Sequence, residues 1–170
     1  MPIIPKPVAE SVSMNLPNVL QVQSDTKWEA FSQALARTPG LENQLGDYLE
    51  QARRVFALSD FVADSCTRNT ALLAELAGSG DLRRAYANAT CQAAVAANLD
   101  GVPDNEDLMV RLRRLRQREM VRIAWRDLCG LADLGETLAD LTRLAEACLG
   151  GAHRVLSDQL APRFGHPFSR

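Results

Sequence analysis

The residues with chemical potential in this 170-residue chain gather in one stretch. Seven arginines lie between Arg111 and Arg126, with a single carboxylate, Glu119, among them. On a 3.6-residue period, Leu108, Met109, Leu112, Leu115, Met120 and Ile123 share one apolar face, while Val110, Val121, Trp125, Leu128 and Ala132 form a second, nearly opposite one. Glu119 projects into the first face, with Arg116 three residues before it and Arg122 three after, a spacing at which helical side chains meet. Arg116, Arg118, Glu119, Arg122, Arg126 and Asp127 are therefore the candidate residues, in structural rather than catalytic roles.

Three chemistries are open to this pattern. A buried Glu119 bracketed by Arg116, Arg122 and Arg126 makes a core ion-pair network, because a buried charge without a partner is strongly destabilising. Presentation of Arg111, Arg114 and Arg118 to an acidic surface makes a docking site for a partner protein or for a catalytic region outside this chain. Binding of nucleic acid is the third, but the aromatics are not interleaved with the arginines, and the formal net charge is −2 with a pI near 5.7. No nucleic acid is expected as a partner.

Other catalytic patterns fail. The chain has no P-loop, no GxGxxG, no GxSxG and no HExxH. Its two histidines, His153 and His166, have no cysteine or carboxylate at metal-ligand spacing, so no metal site and no catalytic residue is assigned. Cys66, Cys91, Cys129 and Cys148 sit singly in helical patterns, as buried reduced thiols of a cytoplasmic protein do. No window approaches the roughly 18 apolar residues of a membrane span.

The elements that must position the arginine stretch read as all-α, a bundle of about six helices. Residues 1–25, with prolines at 2, 5 and 7, read as a disordered tail, 26–162 as the helical domain and 163–170 as a second tail. Trp28, Phe31, Ala34 and Leu35 define a helix from Thr26 that stops at Thr38-Pro39-Gly40. A second helix runs from near Glu42 through Phe56, Ser59 caps the next, and Asn69 caps a short one from Thr70 to Ala77. Asp81 is expected to cap an Ala-rich helix from Leu82 to about Ala97, and Asn105 the arginine helix. Asp133 with Glu136 opens the last helix, whose seam runs Leu134, Leu138, Leu141, Ala145, Cys148, Ala152 and Val155 until Pro162 ends it. Gly150-Gly151 weakens that helix unless a neighbour needs the close approach.

The run Arg118–Leu128, REMVRIAWRDL, follows Val55–Val62 (VFALSDFV), Leu72–Leu76 (LLAEL) and Ser79–Leu82 (SGDL). In that order these segments resemble the bifunctional glutamine synthetase adenylyltransferase/adenylyl-removing enzymes, over roughly Glu50 to Gly165 and only the leading helical part of a much longer protein. The resemblance implies a nucleotidyltransferase that uses ATP and Mg²⁺ to move AMP on and off a tyrosine of glutamine synthetase. It implies glutamine synthetase and a nitrogen-signalling regulatory protein as partners.

Members of that family continue, after a turn resembling Arg163-Phe164-Gly165, to a glycine-rich strand and two aspartates separated by one residue, the metal-holding pair. His166-Pro167-Phe168-Ser169-Arg170 supplies neither, so the chain is expected to be inactive alone and to hold no cofactor itself. The alternative is a stand-alone helical interaction module without catalysis.

Overall fold

The computed structural model describes residues 18–87 and 89–165. Among them are eight α-helices and no strand: α1 (Asn18–Ala36), α2 (Leu41–Leu45), α3 (Tyr48–Leu58), α4 (Asp60–Arg68), α5 (Thr70–Gly78), α6 (Thr90–Asn98), α7 (Asn105–Leu128) and α8 (Leu134–Phe164). The all-α class holds, and several boundaries move for identifiable reasons.

Helix α1 begins at Asn18 rather than Thr26, so Val19–Gln23 is helical. The pattern from Glu42 to Phe56 is divided, because Gly46 takes a positive φ of 46° that ends α2 before Tyr48 starts α3. Asp104, not Asn105, caps α7, its carboxylate accepting from the Asp107 amide. Ser59 and Asp133 cap α4 and α8 by the same geometry, accepting from Val62 and Glu136. Pro162 does not stop α8, which continues to Phe164; so near a C-terminus the amide proline lacks is one bond of the last turn.

The largest departure is at Leu82–Ala97, where only Thr90–Asn98 is helical. Asp81 does not cap. Its carboxylate accepts instead from Ser79, Arg84 and Arg118, and the chain from Leu82 to Ala87 runs without helix past α7.

Two apolar cores flank α7. The first joins α1 to α5 through Phe31, Val55, Phe56, Leu73 and Leu76, and receives Val121 and Trp125. Its aromatics meet edge-on, with Phe31 and Phe56 centroids 5.1 Å apart. The second joins α6 and α8 through Cys91, Val95, Leu99, Leu144, Ala147 and Val155, and receives Leu108, Leu115 and Ile123. Both faces of α7 expected from periodicity are thus covered, except that Met109 lies 60% exposed.

Helix α8 keeps Leu141, Cys148 and Val155 of the expected seam on the second core, but the inward side is rotated from the rest of it. Asp140, Leu144, Ala147 and Val155 are buried, whereas Leu134, Leu138 and Ala145 face out. Gly151 sits where α6 crosses, and a Cβ there would meet Val95 Cγ1 at 2.7 Å and Leu99 Cδ1 at 2.9 Å. The close approach of α6 is the reason for a glycine inside this helix.

Candidate functional site

Between its two apolar faces α7 carries a third, charged and yet buried. Arg118, Arg122 and Arg126 recur every four residues, each step turning about 40° around the helix. This seam of α7 is closed over by α5, α8 and the 79–87 segment.

Glu119 is 2% exposed and accepts from Arg118 Nη1, from Arg122 Nε at 2.8 Å and from the Tyr86 hydroxyl at 3.4 Å. Arg122, also 2% exposed, gives its Nη2 to Asp140 on α8 at 2.6 Å, and its guanidinium lies 3.6 Å from the Tyr86 ring centroid. That stacking accounts for Arg122 Nη1, which has no hydrogen-bond partner among the described residues. Arg143 completes the Asp140 carboxylate at 3.1 Å.

Arg118 ties α7 to α5 through Glu75 at 2.7 Å, and to the following segment through Asp81 at 2.6 Å and the Tyr86 hydroxyl at 3.3 Å. Arg126 binds Glu136 at 2.7 Å, the Leu82 carbonyl at 3.3 Å and the Leu131 carbonyl at 3.1 Å. Arg84, Arg118, Arg122, Arg126 and Arg143 face Glu75, Asp81, Glu119, Glu136 and Asp140, five charges against five. The set is neutral without a bound ion.

Protonation follows this arrangement. Burial pushes Asp81 up, but hydrogen bonds from Arg118, Ser79 and Arg84 outweigh it and hold the carboxyl below its ordinary range. Tyr86 is raised by burial and by the charge of Glu119, against the opposing bond from Arg118. Burial favours loss of the Arg122 proton, yet Asp140 and Glu119 hold it more firmly than usual. The thiols rise by burial, Cys66 to about 12 and Cys91 and Cys129 to about 11.

Of the residues singled out by sequence, the fold brings together Arg118, Glu119, Arg122 and Arg126. Arg116 is not a partner of Glu119; it is exposed and lines a shallow cleft of about 430 Å³ with Arg113 and Arg68. Asp127 is exposed as well, accepting from Thr137 Oγ1 at 3.2 Å. Arg111, one of the three arginines read as a docking set, gives Nη1 to the Asn98 and Asp100 carbonyls and forms an ion pair with Asp107, stapling the α6–α7 loop. Arg118 is likewise consumed internally, so a docking surface of Arg111, Arg114 and Arg118 is not what the fold presents.

Sequence reasoning missed Asp140 and Tyr86, and took Asp81 and Glu136 only as helix-start acids. Asp140 did carry a signal, an acid one turn before Leu144 and two before Ala147 on the same helix face. Tyr86 carried none.

Fold and network together define a class, a helical domain whose two cores are joined through a charge-balanced arginine helix. A family model described as glutamate-ammonia ligase adenylyltransferase matches residues 49–170. The bifunctional glutamine synthetase adenylyltransferase/adenylyl-removing enzyme of Pseudomonas aeruginosa is 38% identical over 161 residues, 92% of this chain and 16% of that protein. The like-named protein of Nitrosococcus oceani is 46% identical over 114 residues, 67% and 12% of the two chains, and that of Thioalkalivibrio sulfidiphilus 42% over 152 residues, 89% and 15%. This chain belongs to the glutamate-ammonia ligase adenylyltransferase family, and it spans 12–16% of the length of these relatives.

Proposed function

We propose that the chain is the leading helical part of a glutamine synthetase adenylyltransferase/adenylyl-removing enzyme, and that it transfers no AMP by itself. Family membership supports the enzyme context. The observation that carries the non-catalytic role is the disposition of the acids. Glu119, Asp140, Asp81 and Glu136, the carboxylates that the fold gathers, each face a guanidinium.

The ATP and Mg²⁺ implied by the family do not fit this donor set. Mg²⁺ is held by carboxylate oxygens in a nearly octahedral shell, and here those oxygens are spent on arginines. The Arg118–Glu119–Arg122–Asp140 chain instead fixes α5, the 79–87 segment and α8 to α7, a positioning task.

Glutamine synthetase and a nitrogen-signalling regulator are the proposed partners of the whole enzyme, in the cytoplasm. Among the described residues no helix is long and apolar enough to cross a membrane. The test supplies the purified chain with ATP, Mg²⁺ and glutamine synthetase, and separately with adenylylated synthetase and phosphate. The expected result is no AMP transfer in either direction, and turnover above a matched blank overturns the reading. A stand-alone interaction module is the second reading, favoured by the internal charge balance that lets the domain stand without a counter-ion.

A further inference from the structure

Helix α8 has two apolar arcs, and among the described residues only one is covered. The inner arc, through Leu144, Ala147 and Val155, packs on α6 and α7. Beside it runs an outer arc of Leu134, Leu138, Leu149 and Leu160, exposed by 71%, 55%, 72% and 50%. Single exposed leucines are ordinary on a protein surface, but four aligned on one helix are not.

We propose that this outer arc is the seat of polypeptide that the longer family members carry beyond the stretch matched here, which lays an apolar face along α8. The inference rests on the family reading and names the surface through which this part joins the rest. Three observations select that occupant. The relatives are several times longer than the share this chain covers, 16% and 12% in the two cited first. The matched stretch runs through residue 170, beyond α8, and the outer arc stays uncovered to the end of that helix, where Phe164 is also exposed.

The third is area. From Leu134 to Leu160 is about 39 Å of helix at 1.5 Å per residue, and at about 10 Å wide the arc offers roughly 400 Å². A stable dimer needs about 800 Å² from each partner. A segment of the same polypeptide needs less, because the covalent link supplies a high effective concentration. A second copy of this chain is thereby disfavoured.

Hydroxyl-radical footprinting read by mass spectrometry tests the proposal. One sample is the 170-residue chain, and the other is the Pseudomonas aeruginosa relative with this chain substituted for its matching stretch. Leu134, Leu138, Leu149 and Leu160 should be oxidised several-fold less in the chimera than in the isolated chain, while the exposed Met109 serves as an unprotected control. Equal oxidation in both overturns the proposal. So does concentration-dependent protection in the isolated chain with a dimer in sedimentation, which assigns the arc to a second copy.

Leu138→Glu with Leu149→Glu provides an independent reading. The pair should leave the melting of the isolated chain unchanged and lower that of the chimera, and an unchanged chimera overturns the proposal. Neither readout depends on AMP transfer, so failure here stays distinct from failure of the adenylyltransferase reading.

Discussion

Glu119 Oε2 lies 2.8 Å from Arg122 Nε, with both side chains sealed from water between the two cores of the domain. Neither charge tolerates loss of the other, because an ion left unpaired in such a place keeps its desolvation cost without the attraction. Glu119→Ala should destabilise the domain by about 3–5 kcal/mol, visible as a fall in Tm on the order of 10 °C. Glu119→Gln, which keeps an acceptor for one arginine, should lose less. Calorimetry on the three proteins checks the order, and an alanine variant melting within a degree or two of wild type defeats the claim.

The arginines of α7 should separate by whether they are spent. Arg111→Ala removes hydrogen bonds to the Asn98 and Asp100 carbonyls and an ion pair with Asp107, and should cost about 1–2 kcal/mol. Arg116→Ala removes an exposed side chain with no ion-pair partner among the described residues, and should change stability by less than about 0.5 kcal/mol. Urea denaturation of both variants decides it, and equal losses would mean that exposure does not sort these residues.

The two adjacent glycines of α8 should respond to alanine with opposite signs. At Gly150 an added Cβ meets nothing within 4 Å, so the gain in helix propensity, up to about 1 kcal/mol, is realised. At Gly151 it runs into Val95 and Leu99, both buried. Valine is stiff at χ1 and cannot swing aside, so overpacking of about 1–3 kcal/mol should outweigh the propensity gain. Thermal melts of the two variants provide the test; stabilisation by Gly151→Ala would show that α6 is not held where the structure has it.

Acid should act on Asp81. Its carboxyl is held below the ordinary value by Arg118, Ser79 and Arg84, so the unfolded chain takes up this proton at higher pH than the folded one. The stabilisation is fully present above the unfolded value of about 3.9 and is lost as pH falls through the lower folded value. Asp81→Asn should therefore be less stable than wild type at neutral pH, with the difference shrinking as pH drops below about 4. A difference that stays constant between pH 7 and pH 3 would remove the ionised carboxylate from the account.

Thiol reactivity should follow burial. Cys66 is fully buried with its thiol pushed up to about 12, so at pH 8 almost none is thiolate and reagent cannot reach it. In native protein a thiol-specific disulfide reagent should modify the half-buried Cys129 and Cys148 well before Cys66. Peptide mapping of the modified protein identifies the order.

How far the chain was legible depends on the range of the forces involved. Local rules placed the Ser59 and Asp133 caps and the two apolar faces of α7, since a hydroxyl or carboxylate reaches an amide three residues on whatever the rest of the molecule does. Helix α8 was read correctly at Leu141, Cys148 and Val155 but not at Leu134 and Leu138, because these and the buried Leu144 are equally apolar and periodicity does not say which arc meets α6. The segment after Asp81 was misread for a related reason. A carboxylate that could cap a local helix was taken by Arg118, 37 residues away in sequence.

By itself the sequence determined that the chain is helical, that Glu119 must find arginines and that its motifs resemble the family to which it belongs. Only the tertiary structure decided which arginines. Arg116, three residues before Glu119, turns to solvent, while Arg118, next to it in sequence, enters the network because Glu75 and Asp81 meet it there. Spacing along one helix limits which side chains are able to meet. The carboxylates and carbonyls that neighbouring segments carry into the same low-dielectric space settle which of them do, since a buried guanidinium is stable only where its donors are met.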